Sequence, residues 1–331
     1  METRNSHSKR SSESVLVPCL RTIIESCEQR QQQQEQRHSR KKDTIDKLCS
    51  IVDTLKELDE FIGIREVKQT IVEHVLYLAQ NLSSDDDMNH IQIVGDPGMG
   101  KTTLAILLGR VYAGLGFLKE GKVICVTRAD LIGEHLGSTS IKTEEMLNTC
   151  RGNVMFIDEV YSFGCRDRRD SFSKECLDCI NQYLSVYRND LLCIIAGYED
   201  DIKECVFSVN RGLERRFPFK YKIERYTMNE LREIFLSQVR LNEWSIDTKT
   251  RVLDSVFNEQ NEKYFGSFGG DTEILFVRCK MAHSSRLFVE NKTRQKKKVL
   301  TDHDIKRGFD MFLTLKKSTM KSNEHVSMMY L

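Results

Sequence analysis

Proline is scarce, with three in 331 residues, and charged residues make up 30% of the chain. With so few forced breaks and so much charge, a helix-rich soluble chain is expected. A surplus of one charge sign is also missing. Lys and Arg number 50 against 49 Asp and Glu, a net charge of +1, which gives no chain-wide attraction for nucleic acid or an anionic membrane. No apolar run reaches the roughly 18 to 20 residues that cross a bilayer, and residues 15–20 are too short, with Pro18 among them, to read as a secretory leader. No membrane partner is therefore expected. Nor do the 11 cysteines follow a regular framework; those in "KVICV" and "LLCIIAG" sit inside apolar stretches. Reduced thiols, no disulfides and an intracellular compartment of the cytoplasmic, reducing type follow as expectations.

What the chain does have is length for two buried cores. Residues 1–43, with "EQRQQQQEQRHSRKK", hold too few apolar side chains to offset the entropy of ordering and read as a disordered or loosely helical Gln/Arg-rich arm. From Thr44 the residues Ile45, Leu48, Val52, Leu55 and Leu58 recur at helical spacing. A further helix, Arg65 to Asn81, follows the turn "FIGI". The short apolar run "IQIV" then leads through a glycine loop into "TTLAILLGRVYAGL", and "KVICV", "NVMFID" and "LLCIIAG" recur between helical stretches. That alternation predicts an α/β fold, a parallel sheet covered by helices on both faces. After "FKYKIERYT" strand signals fade, and helical patterns from Met228 to about Leu313 mark a second, helical domain before a frayed tail. The expected organisation is an arm over 1–43, an αβα domain over 44–226, a helical domain over 227–313 and a tail over 314–331.

Chemistry concentrates in three motifs. "GDPGMGKT", Gly95 to Thr102, matches GxxxxGK[ST] between a strand and a helix. Its glycines let backbone N–H groups wrap phosphates, Lys101 reaches the β- and γ-phosphates, and Thr102 offers a hydroxyl to Mg²⁺. Gly95, Asp96, Pro97, Gly98, Met99, Gly100, Lys101, Thr102 and Thr103 form the predicted nucleotide-binding set. "VMFIDE" ends a buried strand in Asp158, which would hold Mg²⁺ through water, and Glu159, which would orient or deprotonate the attacking water. "NRGLERRFPF" supplies Arg216, with Arg215 as its rival, as an arginine that neutralises charge on a transferred phosphoryl group. The pair Cys176 and Cys179 spells CxxC without a second pair at zinc spacing, and "KTRQKKK" reads as a solvated loop.

The ordered set "FIGIREVKQTI", "GDPGMGKTTLA", "RADLIGEHLGSTSIKT", "VMFIDEVYSF", "IIAGYEDD" and "GLERRFPF" resembles the AAA+ ATPases of the CbbX/CfxQ and stage V sporulation protein K group over about residues 59–313. The resemblance implies a P-loop NTPase αβα sandwich with a small α-helical lid, ATP and Mg²⁺ as cofactors, and a homo-oligomeric ring, usually a hexamer, with ATP at subunit interfaces. It implies that Arg216 acts on a neighbour's nucleotide and that Ile62 and Gly63 lie against the adenine. His135, Leu136 and Gly137 correspond to the loop that grips a protein client in the central pore. Tyr198 aligns with the sensor position after a core strand.

Three departures stand out. His135 replaces the usual aromatic ring of the pore loop, and "FGSFGGDTEILF" has Gly270 or Asp271 where the group often carries a lid arginine. A third is Tyr198, at a sensor position where many AAA+ proteins have Asn, although the Gly-Tyr pair is usual in this group. Three functions remain open from sequence: an ATP-driven ring that remodels or threads a protein client, a nucleic-acid motor or loader, and a nucleotide-binding scaffold with weak turnover. A basic groove for nucleic acid is not found beyond residues 292–298.

Overall fold

The computed structural model describes residues 18–33, 44–84, 86–135, 137–163, 170–247, 251–290 and 298–329. The sequence predictions for Leu136, for the Gln-rich run after residue 33 and for most of "KTRQKKK" fall outside these residues. Contacts divide the chain into two compact units, Met1–Gln92 with Thr102–Ile195 and Lys203–Tyr221, and Ile93–Lys101 with Ala196–Ile202 and Lys222–Leu331. The division therefore assigns the glycine loop to the second unit and the helix that follows it to the first, rather than falling at a single position.

A five-stranded sheet in the order β2-β3-β4-β1-β5 is the scaffold. Its strands are β1 (Ile91–Val94), β2 (Val123–Val126), β3 (Val154–Ile157), β4 (Leu192–Gly197) and β5 (Phe219–Lys222). β2, β3 and β4 pair in parallel, with Val154 opposite both Val123 and Leu192. Every residue of β3 and β4 is buried, which is why both are unbroken apolar runs rather than alternating ones. β1 lies between β4 and β5, far from its successor β2, so the chain reverses direction across the sheet at β1. Such a switch point is where open α/β sheets bind ligands, outside the carboxyl ends of their strands.

Helices of the first unit are α1 (Pro18–Gln33), α2 (Thr44–Ser50), α3 (Val52–Glu60), α4 (Arg65–Ala79), α5 (Lys101–Gly114), α6 (Ser138–Thr149) and α7 (Ser171–Val186). α1 lies within the stretch expected to be a disordered or loosely helical arm, and is a packed helix. Leu20, Ile23 and Cys27, at spacings of three and four, are buried, and α1 packs on α2, α3 and α4. Three anchored side chains suffice where the composition alone argues for disorder.

The second unit holds α8 (Met228–Leu241), α9 (Phe268–Val289) and α10 (Asp302–Met329). Thr227 opens α8 with a capping box, its backbone N–H and hydroxyl donating to Glu230 while its oxygen accepts the Glu230 N–H. α9 and α10 pack closely: a Cβ on Gly308 would lie 2.7 Å from Cys279 Cα. Phe235, Phe265, Phe276 and Phe312 fill the core of this unit. Two features differ from expectation. A two-residue strand, β6 (Ser245–Ile246), pairs in parallel with β7 (Val299–Leu300) inside the region where helical patterns dominate the sequence, and α10 continues through most of the predicted tail. Among the described residues no helix is long and apolar enough to cross a membrane.

Candidate nucleotide site

Each unit carries part of the predicted chemistry. In the second, the phosphate loop leaves β1 at Gly95, whose N–H donates to Gly197 O at the end of β4 (3.1 Å). Gly98 has φ +76° and Gly100 φ +81°, the left-handed conformations that glycine adopts without a Cβ penalty. A Cβ on Gly98 would also stand 2.1 Å from Ser267 O, so no side chain fits there. Met99 is buried and Pro97 exposed. The Lys101 ammonium is folded onto its own loop, donating to the carbonyls of Gly95 and Asp96 at 3.2 Å each. An ammonium so placed can exchange these neutral acceptors for phosphate oxygens.

The first turn of α9 adjoins this loop. Gly269 N–H donates to Gly98 O at 3.1 Å, and Tyr226 OH donates to Met99 O at 3.0 Å. Where the sequence lacks a lid arginine, Asp271 is buried and accepts from Ser267 N–H at 2.8 Å, with the Lys316 ammonium 2.5 Å from its other oxygen. Gly270 donates to Ser267 O at 2.9 Å. Tyr198 is exposed at the end of β4 and lines a cleft of about 340 Å³ with Gly95, Asp96, Met99, Lys222 and Arg225.

In the first unit, Thr102 and Thr103 are exposed on the opening turn of α5, and Asp158 and Glu159 follow β3. Glu159 has φ +54°, unusual for a non-glycine residue. Its N–H donates to Asp158 Oδ1 at 2.9 Å, and its Oε2 accepts from Tyr161 OH at 2.9 Å. Tyr161 is a neighbour that sequence reasoning missed; it lay in the quoted motif, but only the turn of the backbone at Glu159 brings the two together. Thr102 and Asp158 offer hard oxygen donors of the kind Mg²⁺ takes. Among the described residues no group of three His, Cys, Asp or Glu side chains could hold a metal.

The remaining predicted residues belong to other elements. Arg216 donates from Nε to Ser185 Oγ at 3.0 Å and is half-buried, while its rival Arg215 is exposed. Ile62 and Gly63 form the turn before α4, with φ +73° at Gly63 and +50° at Ile64. His135 and Gly137 are exposed before α6, and Ser138 pins this loop by donating to His135 O at 2.7 Å. Cys176 and Cys179 are unbridged, and burial pushes the Cys176 thiol up to about 12, which rules against thiolate chemistry.

Sheet order, loop conformation and the lysine at the head of α5 define a phosphate-loop nucleotide-binding protein. The model of the ATPase family associated with various cellular activities (AAA) matches residues 91–225. A cfxQ-like protein of Acanthamoeba polyphaga mimivirus is 35% identical over 288 residues, 87% of this chain and 70% of that one. Stage V sporulation protein K of Bacillus subtilis is 31% identical over 198 residues, 58% of this chain and 61% of the relative. A point mutant of Thermotoga maritima RuvB superposes with a TM-score of 0.52 over 77% of this chain and 72% of that one, at 18% identity, a likeness of fold. The chain belongs to the AAA ATPases, in the group of CfxQ and stage V sporulation protein K relatives.

Proposed function

We propose that this ATPase binds and hydrolyses ATP with Mg²⁺ in a homo-oligomeric ring, a hexamer by analogy with its group, and uses turnover to remodel or thread a protein client. The observation that carries the hydrolytic part is the carboxylate pair after β3, where Glu159 is held through its own N–H and its side chain. Lys101 neutralises the phosphates, Thr102 and Asp158 hold the cation, Glu159 orients and deprotonates water, and Arg216 reaches a neighbour's nucleotide. Ile62 and Gly63 bracket the base, and Tyr198 contacts water or phosphate. The loop of His135, Leu136 and Gly137 meets the client; His135 and Gly137 are exposed, which suits a mechanical contact. In this reading residues 44–226 act as the nucleotide domain and 227–313 as the lid.

Glu159→Gln tests it. The variant should bind ATP as tightly as the parent, lose at least about 100-fold in turnover, and retain its client in ATP during co-purification. Turnover within about threefold of the parent ends the assignment of Glu159. A scaffold with weak turnover is the second reading, favoured by the buried Asp271 at the start of α9 where a cation is usual in the group. The two separate on protein concentration: specific activity that rises with assembly supports the ring, because the arginine acts in trans, and flat, negligible activity supports the scaffold.

A further inference from the structure

The second residue of the phosphate loop is Asp96, a carboxylate in a loop whose proposed ligand is a polyanion. Like charges repel, most strongly where ligand and loop exclude water between them. A cation meets this carboxylate. Arg225 Nε donates to Asp96 Oδ2 at 3.0 Å.

The backbone around Arg225 is fixed beside the loop from both sides. Ile223 N–H donates to Val94 O at 2.8 Å, and Tyr226 OH donates to Met99 O at 3.0 Å. The arginine side chain is nevertheless 78% exposed, against 24% for Asp96. An ion pair this open contributes little to folding, so stability alone gives no reason for it. The other cation lining the same cleft, Lys222, faces Glu199 at 3.6 Å, which leaves Asp96 to Arg225.

We propose that Arg225 is the charge-compensating residue of the phosphate loop: paired with Asp96, it removes the repulsion that a triphosphate meets there and so sets the affinity for ATP. This rests on the ATP-binding reading above. Arg225 is a positioning residue that acts through Asp96, and its effect belongs to binding rather than to the chemical step.

A double-mutant cycle on the full chain decides the matter. Affinity for a slowly hydrolysed thiotriphosphate analogue of ATP is measured for the parent, Arg225→Ala, Arg225→Lys, Asp96→Asn and Asp96→Asn/Arg225→Ala, with thermal melts to confirm folding. Arg225→Ala should weaken binding about three- to tenfold at low salt, and less at high salt, as expected for a screened charge. Arg225→Lys should keep most of the affinity, and the double variant should return to within about twofold of Asp96→Asn. Unchanged affinity in Arg225→Ala overturns the proposal, as does a double variant as weak as Arg225→Ala, which would mean that Arg225 touches the nucleotide directly. Failure of the parent to bind the analogue removes the nucleotide reading itself, a result distinct from either.

Discussion

Acidification should destabilise this protein at a site that holds no nucleotide chemistry. His74, on α4, is buried and stacks on Phe219 with ring centroids 3.4 Å apart. Its Nδ1 lies 2.7 Å from Tyr221 OH and its Nε2 3.2 Å from Tyr112 OH. Tyr112 OH also donates to Asn89 O, so it accepts from Nε2–H, and Tyr221 OH donates to Nδ1. A second proton on the ring would point at a hydroxyl that now donates. Burial pushes the imidazole down from 6.5 to about 3. The sign follows. Between these values the unfolded chain binds a proton that the folded chain refuses, so stability is intact above pH 6.5 and declines as pH falls towards 3. From pH 7.5 to 5 the loss from this one residue comes to about 2 kcal/mol. His90, pushed down to about 4 chiefly by burial and further by the charge of Arg216, adds about as much. Together they remove a large share of a typical stability of about 5 to 15 kcal/mol. Because His74 braces α4, α5 and β5, loosening should reach the helix that follows the phosphate loop. Urea unfolding at pH 7.5 and 5 would measure it: His74→Gln, which can still donate and accept, should lose about 2 kcal/mol less than the parent over that interval. Equal losses in the two proteins would refute the reasoning.

Gly98→Ala should be costly, because a methyl would stand 2.1 Å from Ser267 O at a φ of +76°; a fall in stability of about 1 to 3 kcal/mol together with weaker ATP binding is expected, and an unchanged melt would mean that the loop rarely takes this conformation. Asp304 is wholly buried and accepts from Arg286 at 2.8 and 3.0 Å, from His283 and from Thr301 N–H. Burial raises its carboxyl, but these hydrogen bonds, Arg286 foremost, outweigh that and leave it at about 2. Asp304→Ala should therefore cost about 3 to 5 kcal/mol. The fluorescence of Trp244, the single tryptophan, whose ring is 5.1 Å from His283, should report the change; unchanged emission and stability would show the cluster to be dispensable.

How far the fold was legible depended on burial. β3 and β4 announce themselves because both faces are covered, so their residues are apolar throughout. β6 and β7 have two residues each, too few for any periodicity, and their pairing depends on a partner more than 50 positions away. α1 is hidden by its polar face; Leu20, Ile23 and Cys27 are sparse in a Gln- and Arg-rich segment, and only packing on α2, α3 and α4 reveals their common side. The candidate site shows the same contrast. Gly95 to Thr102 is contiguous because one stretch of backbone must wrap a phosphate, and contiguity is what a sequence displays. Asp96 and Arg225 are 129 positions apart, and nothing in either neighbourhood marks the other.

The start of α9 shows what replaces a missing side chain. A lid arginine would read the phosphates through charge; here the first turn meets the phosphate loop through backbone, Gly269 N–H on Gly98 O, with Gln238 donating to Gly269 O at 3.0 Å. Asp271 faces inward, bound to Ser267 N–H and close to Lys316 of α10, so its charge stabilises the turn and is not presented outward. A contact of peptide on peptide has no long-range reach and tolerates little displacement, since a hydrogen bond weakens steeply once its angle and distance depart from ideal. α9 is therefore tied to the conformation of the loop at Gly98 more than to the charge of whatever the loop holds. The Asp96–Arg225 pair, the Tyr226–Met99 contact and the Gly98–Gly269 contact all sit on the same short segment, so a movement of the loop would be felt at each of them.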